Sequence, residues 1–444
     1  MNASNSTVIH DFNRREFLSM VGKGVGLAAL SSATVGAWLE NLHAATKRVE
    51  HLSPQDAAMN EDFWYDIQRS FSVTRGITNL NNGGVCPSPR IVTEAFCHYT
   101  WEQEDATAYT MWSILEPQCE TVRTGLADIF GCDREEIAIT RNASESLEIL
   151  LMGLDLKSGD EILTTTQDYP RMLTTLRQRE QREGLVLKMI QVPIAPNNIE
   201  DIAAAFDKAI TPRTRVILIS HVINLTGQIT PVKTVCEIAK PKGIEVIVDG
   251  AHSFAHFAFK QSDLGCDYYG TSLHKWLLAP KGTGLLFVKR DKIEKIWPLM
   301  AADKSQKDDI RKYEEIGTHP AATKLAIGEA ILFHNGIGAQ RKEARLRYLS
   351  RYWMNKLKDL PNVRFHTSWE PNQSCGIANV EIVGIDPGAI SSYLMDRHKI
   401  YTVAILHDEF KGIRVTPNVY TTLKELDRFC GVMETIAKKG LPKS

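Results

Sequence analysis

Two residues carry the clearest chemistry in this chain. Lys275 stands in Thr271-Ser272-Leu273-His274-Lys275-Trp276, and Asp249 closes the apolar run Val246-Ile247-Val248 and opens Asp249-Gly250-Ala251-His252. A lysine amine can hold an aldehyde as a Schiff base, and a carboxylate against a pyridine nitrogen keeps that ring protonated and able to accept electrons from a substrate carbanion. The pair predicts pyridoxal phosphate (PLP). A carboxylate at the end of a buried strand is costly without a cationic partner, and a pyridinium would supply one. The competing reading of Asp249 is a helix cap. His252 is placed to stabilise a ring or relay protons, or else to pack as a core histidine.

Three further segments could complete a cofactor site. Thr140-Arg141-Asn142-Ala143-Ser144-Glu145-Ser146 precedes a helical pattern with Leu147, Leu150, Leu151 and Leu154 on one face. Asn142 can cap that helix, and the free N–H groups at its start, including those around Ala143, can hold a phosphate with help from Ser144. Capping with no ligand explains the same residues. Ser220-His221-Val222-Ile223-Asn224-Leu225-Thr226-Gly227 follows a β-rich run and sets Asn224 to meet a polar ring substituent, or forms a plain strand-end turn. Ser272 and His274 flank Lys275 as possible phosphate donors.

From about residue 88 to 290, helical periodicity alternates with short β-rich runs at Glu161–Thr165, Leu185–Val192, Val216–Ser220, Glu245–Asp249 and Gly284–Val288. Such alternation predicts an α/β fold, a mostly parallel sheet flanked by helices, with ligands at the carboxyl ends of strands. A long helical pattern begins near Thr318–Glu329, and the remainder suffices for a smaller C-terminal α/β domain. The expected division is 1–45 as a signal, 46–78 as an arm, 79–317 as a large domain, and 318–444 as a linking helix with a small domain.

The chain has 444 residues and a formal charge of −1, with 52 basic residues against 53 acidic ones. No basic footprint for nucleic acid is present, and a small-molecule substrate is expected. Asn13-Arg14-Arg15-Glu16-Phe17-Leu18, followed by a Gly- and Ala-rich apolar stretch, reads as a twin-arginine export signal cleaved near Ala44 or Ala45. Lys23 and the glycines at 22, 24 and 26 break that stretch, so no stable membrane span is expected after processing. The expected location is the periplasm or another exported one reached through the twin-arginine route, with that machinery as a partner. The eight cysteines have no metal-ligand spacing; one disulfide stays open.

The ordered set Ser220-His221, Asn224, Gly227, then Asp249-Gly250-Ala251-His252, then Ser272-Leu273-His274-Lys275 resembles the class V aminotransferases from about Asn79 to Asp427. Leu80-Asn81-Asn82-Gly83-Gly84 and the Asp249-Gly250-Ala251-His252 variant resemble the isopenicillin-N-epimerase-like branch. The resemblance implies a fold-type I PLP enzyme, homodimeric, with its site between domains and subunits. It implies Lys275 as the Schiff-base lysine and the acid/base at Cα, Asp249 at the pyridine nitrogen, and Asn224 at the ring hydroxyl. Ser144, Ser272 and His274 would hold the phosphate, with Thr318 reaching it from the partner subunit. Arg414 would clamp the substrate carboxylate, with Asn82 also on the substrate side. Two departures stand out. Tyr169 occupies the place where many relatives stack a histidine, and Lys399 to Ile413 contains no cysteine, which disfavours desulfuration. The expected reaction is transamination-type chemistry on an amino acid or an amino-acid moiety of a peptide-like metabolite. Epimerisation, elimination and a non-catalytic binding role are the alternatives.

Overall fold

The computed structural model describes residues 33–442, so the twin-arginine motif lies outside the described residues. A seven-stranded sheet is built from β2 (Ile137–Thr140), β3 (Glu161–Thr165), β4 (Val186–Ile190), β5 (Thr214–Ser220), β6 (Glu245–Asp249), β7 (Tyr268–Ser272) and β8 (Gly284–Val288), in the order β2-β8-β7-β6-β5-β3-β4. Only β8 runs against its neighbours; β7, β6, β5, β3 and β4 pair in parallel. Val216-Ile217-Leu218-Ile219 and Val246-Ile247-Val248 are buried throughout. That follows from a sheet covered on both faces, where continuous β-branched runs replace alternation. The sheet is mostly parallel, as the alternating pattern predicted.

A second sheet, β9 (Val363–Phe365), β10 (Ala378–Ile382), β12 (Val403–Leu406) and β13 (Lys411–Val415), is antiparallel in the order β12-β13-β10-β9. Trp353, Leu394, Phe429 and Met433 pack beneath it in a core of its own. This is the smaller C-terminal α/β domain. Its edges reach further back along the chain than expected: β1 (Thr78–Asn79) pairs in parallel with β11 (Ile400–Tyr401), and Asn81 bridges to Thr416.

Three helices frame the N-terminal flank and the mouth of the large sheet: α1 (Ala33–Arg48), α2 (Ala143–Gly153) and α3 (Pro170–Glu183). α1 crosses the boundary set at residue 45. Its Leu42 and Ala45 are buried, as is Val49 just beyond its end, and the Thr46 hydroxyl donates to Gly336 O at 2.8 Å. A Cβ on Gly336 would meet Leu42 Cδ2 at 2.5 Å, so a larger residue there would have to displace the Leu42 side chain. The long helical pattern after Thr318 is interrupted, forming Ala321–Leu325 and Ile327–Ile337. All eight cysteines are free thiols. Among the described residues no group of side chains is arranged to hold a metal, and no helix is long and apolar enough to cross a membrane.

Candidate active site

A cavity of about 410 Å³ opens at the carboxyl ends of β5, β6 and β7, lined by Ser220, Asn224, Asp249, Ala251, His252, Ser272, His274 and Lys275. Register sets the arrangement, since Ser220 pairs with Asp249 and Asp249 with Gly270 at the same edge. The opposite side comes from the start of α2 (Asn142, Ala143, Ser144) and the start of α3 (Tyr169, Arg171). The sequence-predicted cofactor residues other than Thr318 therefore meet in one place.

Asp249 sits at the buried floor. Its Oδ1 accepts from Ala251 N–H at 2.9 Å, and burial pushes its carboxyl up to about 6, with that N–H and Lys275 pulling the other way. A carboxylate so poorly compensated is suited to a cationic ring nitrogen. Gly250 follows it because nothing larger fits: a Cβ would land 1.9 Å from Tyr269 Cζ.

Lys275 Nζ lies 3.2 Å from His252 Nε2. Trp276 Nε1 donates to His252 Nδ1 at 3.4 Å, and an indole N–H can only donate. Burial holds the His252 imidazole neutral, well below its ordinary range. Its single proton then belongs on Nε2, which faces the amine and favours the amine's neutral form. Burial independently lowers Lys275 to about 8, opposed by Asp249 and assisted by Arg414. Both arguments give a nucleophilic amine near neutral pH.

Asn142 caps α2 as expected, its Oδ1 accepting from Glu145 N–H at 2.9 Å. Ala143 N–H donates to Ser272 Oγ at 2.9 Å, which leaves the Ser272 O–H free to point elsewhere. Ser144 is half-buried on the cavity wall. His274 differs from expectation: its Nδ1 lies 3.1 Å from Thr283 O, so that nitrogen carries the proton. Burial lowers the ring to about 4, and the neutral Nε2 has no proton to give a phosphate.

Asn224 Oδ1 is buried with no partner, as is Arg414 Nε. Buried polar atoms are ordinarily satisfied, so both are waiting for a group. Arg414 Nη1 donates to Asn224 O at 3.1 Å and Nη2 to Asn81 Oδ1 at 2.9 Å, tying the arginine to the cavity edge. Burial lowers its guanidinium to about 10. Asn82, expected beside the substrate, is instead fully buried, with its amide donating to Thr416 O and its Oδ1 accepting from Tyr420. Backbone carbonyls and the Tyr420 hydroxyl consume it, and Asn81 is the neighbour that meets Arg414. Thr318 is exposed and does not line its own chain's cavity.

Sequence reading missed Asp168, Arg171 and Trp276. Asp168 accepts from Thr164, Thr165 and Ser220 side chains and from the Thr165 and Ser220 N–H groups, all within 3.0 Å, which pins the β3 and β5 ends together. Its place in Gln167-Asp168-Tyr169, directly after a β-rich run, was the available signal. Taken together, the unpartnered Asn224 oxygen, the under-compensated Asp249, the Lys275 amine lowered to about 8 and the α2 start fit a phosphorylated pyridine aldehyde.

Comparison with known proteins agrees. The profile of the family "Aminotransferase class-V" matches residues 79–429. Isopenicillin N epimerase of Streptomyces clavuligerus is 28% identical over 394 residues, covering 84% of this chain and 98% of the relative. A probable cysteine desulfurase of Pyrococcus abyssi is 24% identical over 396 residues, covering 84% and 97%. Among solved structures, the apo cysteine desulfurase of Thermococcus onnurineus superposes with a TM-score of 0.75 at 24% identity, over 85% of this chain and 98% of that one. A C-DES variant with glycine covalently linked to its PLP gives 0.75 at 22% identity, over 83% and 98%.

Proposed function

Because the chain belongs to the class V aminotransferase family and is a PLP-dependent enzyme of fold type I, we propose that it acts at Cα of an amino acid, or of an amino-acid moiety in a peptide-like metabolite, with aminotransferase-type chemistry. The observation that carries this reading is that Lys275, lowered to about 8, and the buried Asp249 line one cavity, with the buried Arg414 tied to the cavity-lining Asn224. Bound there, PLP supplies an aldehyde and a ring that accepts negative charge from Cα.

The chain's own residues divide the work. Asp249 holds the ring nitrogen's proton in place, and Asn224 Oδ1 meets the ring hydroxyl. Arg414 takes the substrate carboxylate in a bidentate grip, for which a planar guanidinium is suited. Lys275 would take the Cα proton and deliver it to the cofactor's aldehyde carbon, and its lowered pKa matches that task. It is the only amine lining the cavity among the described residues. Tyr169, half-exposed at the start of α3, offers a stacking ring in place of an imidazole. One amine without a second imidazole across the ring favours proton transfer on a single face, hence transamination over two-base epimerisation.

Epimerisation is the second reading, favoured by the 28% identity to isopenicillin N epimerases. Desulfuration is disfavoured because Cys375 is buried beside Glu343, away from the cavity lining. The protein acts as a homodimer: Thr318 is exposed, and Trp101, Tyr109 and Trp112 leave an aromatic surface uncovered on the single chain. It reaches the periplasm by the twin-arginine route, on the strength of Arg14-Arg15.

The test is the visible spectrum of purified protein before and during incubation with a panel of L-amino acids, with chiral analysis of each mixture. Stable bleaching of the cofactor band with release of an oxo acid supports transamination. A persistent band with loss of amino-acid chirality supports epimerisation instead. A protein that takes up no PLP overturns the reading altogether.

A further inference from the structure

α2 and α3 leave the carboxyl ends of β2 and β3 and lie side by side, with the Thr175 hydroxyl donating to Glu148 Oε1 at 3.3 Å. One helical turn back from that contact lie Arg171 on α3 and Ser144 on α2, because residues four apart share a helix face. Both line the same cavity. Arg171 is exposed, and its guanidinium has no hydrogen bond or ion pair among the described residues.

The charge balance at this end is the second argument. A phosphate monoester brings roughly −1.5 to −2 charges at neutral pH. Lys275 is committed to the aldehyde, and His274 is neutral with its proton directed at Thr283 O. Hydroxyls and the α2 dipole cover part of the charge. The remaining cation on the cavity wall is Arg171. A guanidinium fork suits two phosphate oxygens.

We propose that Arg171 is a cofactor-binding residue that neutralises the PLP phosphate from the start of α3. This rests on the reading that sets the phosphate at the start of α2. The side chain costs nothing in the fold, since it has no partner to lose, so its replacement can be read through affinity alone.

The experiment compares PLP with pyridoxal, which lacks the phosphate, by equilibrium titration of apoenzyme for the unmodified protein, Arg171→Gln, Arg171→Lys and Ser144→Ala. Arg171→Gln is expected to weaken PLP about fivefold, discounted for solvent exposure, and to leave pyridoxal within about twofold; Arg171→Lys is expected to recover part of the loss. Unchanged PLP affinity in Arg171→Gln, or equal weakening of both ligands, overturns the inference. Ser144→Ala separates the two layers of the argument. If it discriminates PLP from pyridoxal while Arg171→Gln does not, the phosphate is where we set it and Arg171 alone is misassigned. If neither variant discriminates, the phosphate lies elsewhere and the inference falls with that placement.

Discussion

Lys275 should capture PLP as an amine with a pKa of about 8, since burial brings it down from 10.5. At about pH 7, an amine of pKa about 8 is roughly one-tenth neutral, against roughly one part in 3,000 at 10.5, so the attacking form is enriched about 300-fold. The assay mixes apoenzyme with PLP from about pH 6 to about pH 10 and follows the growth of the visible cofactor band, with a free lysine derivative titrated in parallel to remove the cofactor's own ionisations. The rate should climb with pH and level off just above pH 8, about two units earlier than the free amine. Asp249 stabilises the ammonium and Arg414 destabilises it. Asp249→Asn therefore moves the midpoint down and Arg414→Gln moves it up. A rate that keeps rising tenfold per unit to about pH 10, or variants that shift in the reverse directions, would refute the electrostatic account.

Trp276→Phe removes the donor that fixes the His252 proton on Nε2; the ring can then accept from an ammonium, so the capture midpoint should rise, and an unmoved midpoint counts against the tautomer argument. Gly250→Ala drives a Cβ to within 1.9 Å of Tyr269 Cζ and should cost about 1–3 kcal/mol in a denaturant titration, or prevent folding; unchanged stability would mean the strand end is softer than described. Glu314, held by Arg123 and Lys324, has a carboxyl lowered from 4.5 to about 2 despite burial. Its folded value lies below the unfolded one, so its contribution is present above about pH 4.5 and lost as pH falls toward 2, up to about 3 kcal/mol in total. Glu314→Gln should flatten the acid limb of a stability–pH curve in that window.

Strands that carry motifs were legible because they are continuous apolar runs between polar breaks: Glu161–Thr165, Glu245–Asp249 and Gly284–Val288 have the expected bounds, and Leu185–Val192 is trimmed to Val186–Ile190. Two strands of the large sheet escaped notice. Tyr268-Tyr269-Gly270-Thr271-Ser272 is polar in composition yet fully buried, because Gly270 lets α2 approach until a Cβ would sit 2.9 Å from Ser146 Cβ. Ile137–Thr140 is only four residues long. The reversal of β8 depends on how the Lys275 loop returns to the sheet, which no local pattern encodes. In the site, chemistry-bearing residues followed by distinctive neighbours were found, while the choice between Asn81 and Asn82 was not. Adjacent asparagines are equivalent in sequence, and only the bridge of Asn81 to Thr416 decides which one turns toward Arg414. Arg171 and Trp276 gain their meaning from neighbours distant in the chain.

The segment 79–86 belongs to both ends of the polypeptide. It lies beside Ile400–Tyr401 and Thr416, its Asn81 reaches Arg414 across 333 positions, and Cys86 N–H donates to His274 O beside Lys275. During synthesis, the seven-stranded sheet and its lysine emerge well before residue 414, so a cofactor pocket can form on a growing chain. Arg414 cannot take its place so early, because it lies on the last strand itself, and contacts of such separation close late. A newly made molecule thus has its cofactor-side residues in place before the pairing of Asn81 with Arg414 can form.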